Sequence, residues 1–83
     1  MDETERKEML ATFARCQAMG EKAYDEMYDA HSFRDAGDCY REAKDFFYEA
    51  ISLAGQLGLT DEKESPIKRL EHIKAVFRSQ FAV

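Results

Sequence analysis

Between Ser32 and Leu57 apolar residues recur at Phe33, Ala36, Tyr40, Ala43, Phe47, Ala50, Ile51, Ala54 and Leu57, mostly in steps of three and four. An α-helix turns that spacing into one continuous buried stripe, whereas a strand would alternate every second residue. A second row, Cys39, Phe46 and Leu53, keeps a seven-residue spacing about 100° further around the same helix. An apolar arc that wide needs more than one neighbour. The stretch therefore predicts a central helix packed on both flanks.

With 83 residues the chain has room for one domain, 1–83, and for one helix on either side. Upstream, Asp2-Glu3-Thr4-Glu5 supplies acidic residues suited to a first helical turn, and Phe13, Cys16, Gly20, Ala23, Met27 and Ala30 then continue at helical spacing. This predicts a first helix over 4–30. Gly20 in mid-helix costs about 1 kcal/mol relative to Ala, so it implies a close approach by a bulky residue such as Tyr40 or Phe47. Neither Gly nor Pro separates Ala30 from Phe33, yet the step from Met27 to Phe33 misses the buried face by about 120°. A turn is therefore predicted near Asp29 to Ser32, with Ser32 as N-cap of a second helix over 32–57. Leu57-Gly58-Leu59 reads as its stop, Gly58 taking the left-handed position. Ser65-Pro66 suits a cap followed by proline at the first helical position, so the polar run Thr60–Glu64 is predicted as a loop and the third helix as 66–81, with Leu70, Ile73, Phe77 and Phe81 on its apolar face. The fold predicted is all-α, a three-helix antiparallel up-down-up bundle, with Phe13, Ala23, Met27, Tyr40, Phe47, Ile51, Ile73 and Phe77 in one core.

The formal net charge of −5 is unevenly spread: residues 66–83 carry four of the 12 Lys and Arg residues and one of the 17 Asp and Glu residues. A basic last helix in an acidic domain can lie against its own neighbours, and four cations would give nucleic acid little affinity. No nucleic-acid partner is expected. The start of the chain lacks a basic region followed by an apolar core, and no apolar run approaches the about 20 residues of a membrane span, so no membrane partner is expected either. Cys16 and Cys39 lie on apolar helical faces without a CxxC or paired histidines, which suits small buried thiols and a cytoplasmic location.

The central helix also resembles a tetratricopeptide helical hairpin. The pattern Ala-x3-aromatic-x2-Ala occurs as Ala36, Tyr40, Ala43 and again as Ala43, Phe47, Ala50, while Phe33 matches the aromatic of the inter-helix turn and Met27-Tyr28 the aromatic pair of the preceding helix. The sequence departs from that pattern at Gly20, where a large aromatic belongs, and at His31, which replaces the turn glycine. One hairpin is too little for a solenoid, and a hairpin closed by a third helix is similar to the microtubule-interacting-and-transport domain. That resemblance implies a three-helix module binding helical peptides.

Chemistry is sparse. Asp38, Glu42, Asp45 and Glu49 fall on the outward face of the central helix, where Arg34–Asp38 and Arg41–Asp45 at i,i+4 account for a solvated stripe. Ala30-His31-Ser32-Phe33-Arg34-Asp35-Ala36 is similar to the histidine-phosphotransfer motif, but Asp35 stands where a small glycine would let a phosphoryl group approach. No metal set, phosphate loop or nucleophile constellation is recognisable, so neither an enzyme nor a cofactor is expected. Two functions remain. One is a protein-interaction module, adaptor or chaperone-like, whose partner meets Tyr24, Tyr28, Arg69, His72 and Arg78 along the first and third helices. The other is a signalling intermediate through His31. Surplus aromatics at the edges of the apolar faces also permit a homo-oligomer.

Overall fold

A computed structural model describes residues 2–80, apart from the side chain of Thr60. Among these residues it contains three α-helices, α1 (Glu3–Tyr28), α2 (Phe33–Leu57) and α3 (Thr60–Gln80). Asp2 caps α1 by accepting a 2.8 Å bond from the Glu5 amide, and α1 ends two residues earlier than the spacing predicts. Ser32 caps α2 by accepting from the Asp35 amide at 3.1 Å, which places the turn where the angular mismatch requires it. At the other end Gly58 has φ 72°, and Leu59 N–H donates to the Ala54 carbonyl at 2.9 Å while Gly58 N–H donates to Gly55 at 3.3 Å. This paired closure is the Schellman turn, and it satisfies two carbonyls that the helix end leaves without partners.

The third helix departs from expectation. It begins at Thr60 rather than at Pro66, so 60–65 is helix and Pro66 lies inside it. The tight turn at Gly58 hands the chain directly to a new first turn, where the Lys63 amide bonds the Leu59 carbonyl and Asp61 and Glu62 complement the helix dipole. Pro66 forfeits one backbone bond, but its ring is fully buried, and that burial offsets part of the cost. Phe81 and the helix end at 81 lie outside the described residues.

The helices run antiparallel in sequence order. Phe13 and Cys16 of α1 pack against Ala50, Ala54 and Leu57 near the end of α2, while Ala23, Tyr24 and Met27 pack against Ala36, Ala43 and Phe47 nearer its start. Among the described residues Leu70 and Ile73 of α3 join the second group. The core is thus divided in two, and Phe13 belongs to a different cluster from the other core residues that the spacing assembles, of which Tyr40, Ile51 and Phe77 pack at its margin half-buried. Gly20 lies under the Phe47 ring, where a Cβ would fall 2.6 Å from Cε2. The α2 helix has α1 on one flank and α3 on the other, whereas the backbones of α1 and α3 barely approach and are bridged by long side chains.

Candidate functional site

The seam between α1 and α3 gathers four of the five residues that sequence reasoning selects for a partner. The guanidinium of Arg69 donates twice to the Glu21 carboxylate, at 2.6 and 2.7 Å, and lies 5.2 Å from the centroid of the Tyr24 ring. The Tyr24 hydroxyl is 3.0 Å from that of Tyr28 and 3.2 Å from His72 Nε2. Burial, reinforced by the Tyr28 hydroxyl, pushes the Tyr24 phenol up to about 12, and the bonds to Glu21 raise the already basic Arg69. The arrangement ties α3 to α1. Tyr24 is buried and Arg69 is engaged in the fold, while Tyr28 and His72 remain exposed at the rim. Arg78 does not join them: at about 100° per residue it lies about 180° around α3 from Arg69 and within about 40° of Lys74. Lys74 points to α2, donating to the Tyr48 hydroxyl at 2.6 Å, a bond that raises its pKa.

On that other flank a cleft between α2 and α3 offers about 440 Å³ and is lined by Phe33, Arg34, Gly37, Tyr40, Arg41 and Phe77. Tyr40 and Phe77 stack with centroids 3.9 Å apart and planes 1° from parallel, and Phe33 leans toward Phe77 at 6.1 Å. Lys44 sits 4.4 Å over the Tyr40 ring. Phe33 is 58% exposed, the most exposed of the large hydrophobic residues described. Its position explains why: it is the first residue of α2, past the end of α1, so that the helix presents it at the mouth of the cleft. Helical spacing marked Phe33 as part of the buried stripe, which was wrong for this residue because a stripe does not show where the neighbouring helices stop.

A smaller groove of about 200 Å³ lies between α1 and α2 on the side away from the α1–α3 seam, lined by Met19, Lys22, Ala23, Glu26, Glu42 and Phe46. The acidic stripe Asp38, Glu42, Asp45 and Glu49 is exposed along α2, and Arg41 pairs with Asp38 one turn back rather than with Asp45. Burial raises the thiols of Cys16 and Cys39, and both are free. His31 is exposed in the bend between α1 and α2. Among the described residues no group of three or more His, Cys, Asp or Glu side chains could hold a metal ion, and no helix is long and apolar enough to cross a membrane. In comparisons with known proteins, no family model, curated protein or solved structure matches the chain.

Proposed function

We propose that the protein is a helical protein-interaction module, adaptor or chaperone-like, that seats an apolar segment flanked by acidic residues in the cleft between α2 and α3. One observation carries the reading: a cleft floored by the Tyr40–Phe77 stack has a 58% exposed phenylalanine at its mouth and two arginines, Arg34 and Arg41, in its wall. An aromatic ring held in water is a cost to an isolated domain and an anchor in an interface, where rigid aromatics and arginine carry most of the binding energy. The α1–α3 edge is the weaker surface, because Tyr24 and Arg69 already satisfy each other and Glu21. A phosphoacceptor role for His31 is the weaker reading, with Asp35 one turn away and His31 itself exposed in the bend.

The test is selection of helical peptides on the immobilised protein by display, followed by amide shift mapping of the enriched sequences. Shifts gathered at Phe33, Gly37, Tyr40 and Phe77, with at least about tenfold weaker binding by Phe33→Ser, support the reading. Tyr28→Ala should leave affinity nearly unchanged. No enriched peptide, or shifts confined to the α1–α3 edge, would sink it.

A further inference from the structure

We propose that the partner this cleft takes is a second copy of the chain, docked head to tail: the Phe33 edge of one copy enters the groove between α1 and α2 of the next. The inference rests on the reading of the α2–α3 cleft as a docking surface and gives that surface an occupant.

The argument is charge and shape together. The cleft edge presents a protruding ring, Phe33, beside Arg34, while Arg41 is paired with Asp38 of the same helix and Lys44 lies on the neighbouring Tyr40 ring. The α1–α2 groove presents the complement, with Met19, Ala23 and Phe46 as an apolar floor and Glu26 and Glu42 on its walls. Among the described residues Lys22 is the one cation lining that groove. Met19 is 38% exposed there, so both halves of the proposed contact hold large apolar side chains in water. Arginine meets carboxylate with forked geometry, and opposite potentials across an interface favour this pairing over others.

The geometry also selects the symmetry. A two-fold contact that sets cleft against cleft or groove against groove brings like charges together, and one that pairs cleft with groove twice needs both to face the same partner, which their placement on different flanks of α2 disfavours. Because the cleft and groove sit on different flanks of α2, joining one to the other leaves a free cleft at one end of each pair and a free groove at the other. Such a heterologous contact adds further copies unless the rotation closes a ring. Part of the attraction is between exposed charges and is screened by salt.

Sedimentation velocity of the full chain tests this. At about 50 mM salt the average mass rises as concentration increases from about 20 µM to about 1 mM, and it returns to that of the monomer in about 0.5 M salt. Phe33→Ser and Met19→Glu, both at exposed positions, are each monomeric throughout and keep the helical circular dichroism of the parent. An equimolar mixture of the two restores one intact contact, so it forms a one-to-one pair that does not grow. Arg34→Glu lowers self-association at least about tenfold. Three outcomes overturn the proposal: a chain that remains monomeric at every concentration, self-association that survives Met19→Glu, or a Phe33→Ser and Met19→Glu mixture that stays monomeric. If peptides selected by display still map to Phe33 and Tyr40 in a monomeric chain, the cleft is a docking surface and only the identity of its occupant has failed. If they do not, the docking reading fails with it.

Discussion

Phe47 is 1% exposed, and its ring occupies the space that Gly20 leaves open on α1 while its own helix also faces α3. Replacing it with Ala removes the largest fully buried side chain and leaves a cavity that three helices cannot all close, at a cost of about 3–5 kcal/mol. That is enough to unfold most of so small a domain, and a urea melt that moves by less than about 1 kcal/mol would show that the ring is not buried. Gly20→Ala tests the same contact from the other side. Alanine gains up to about 1 kcal/mol of helix propensity, but its Cβ would lie 2.6–2.9 Å from three ring carbons of a side chain that has nowhere to go. The expected net result is a loss of about 1–2 kcal/mol, and a gain would mean that α1 shifts easily away from α2. Tyr24 adds a pH signature. Its phenol is raised to about 12 in the fold against about 10 in the unfolded chain, so between those values the unfolded chain has released the proton that the fold still holds. Stability from this group is complete below about pH 10 and lost as the pH rises toward about 12. Denaturant melts at pH 8 and pH 11 should show Tyr24→Phe losing less stability than the parent over that interval; equal losses would contradict the assignment.

At the level of the helices, the two ends of α2 were legible because each has a local cause. Ser32 follows from the angular mismatch between Met27 and Phe33, and Gly58 from the need for a positive φ, here 72°. Gly58→Ala should cost about 1 kcal/mol through that backbone angle alone. The start of α3 was misread for an equally local reason. Thr60–Ser65 contains no large apolar residue to reveal helical periodicity, and Ser65-Pro66 mimics a start signal that the turn at Gly58 has already supplied. Pro66→Ala separates the two accounts. Within a helix it restores a backbone donor worth up to about 3 kcal/mol and gives up roughly 1–2 kcal/mol of ring burial, so a net stabilisation of about 1 kcal/mol is expected. At a true first position the same change would destabilise. The site was legible only in part. Tyr24, Tyr28, Arg69 and His72 do come together, but the capture of Arg69 by Glu21, 48 residues away in sequence, depends on how α1 and α3 are staggered, which no local pattern encodes.

For the whole molecule, the unequal attachment of the three helices decides how the fold should open. Both apolar clusters span the α1–α2 seam, whereas among the described residues α3 contributes Leu70 and Ile73 to one of them, with Val76 and Phe77 at its margin and Pro66 buried outside both. Its polar ties to α1 include the Arg69–Glu21 pair, with side chains 37% and 41% exposed, and the Tyr24–His72 bond. An ion pair that exposed contributes no more than about 1 kcal/mol. The α3 helix should therefore detach before α1 separates from α2, as a cooperative unit of lower stability. Native-state hydrogen exchange would read this as a common, lower opening free energy for α3 amides from Leu70 to Val76 than for α2 amides from Ala43 to Leu53. Arg69→Ala should lower the protection of α3 further while leaving the most protected amides of α1 and α2 unchanged relative to each other. Uniform protection across all three helices would instead mean that α2, held between its two neighbours, makes the bundle open as one unit. The lesser attachment of α3 also bears on the cleft, since Phe77 and the Tyr40 ring on which it stacks belong to the two elements that would part. A ligand seated between Phe33 and Phe77 bridges α2 and α3, so it should raise the protection of α3 amides more than those of α1, and an equal rise on both helices would place the ligand elsewhere.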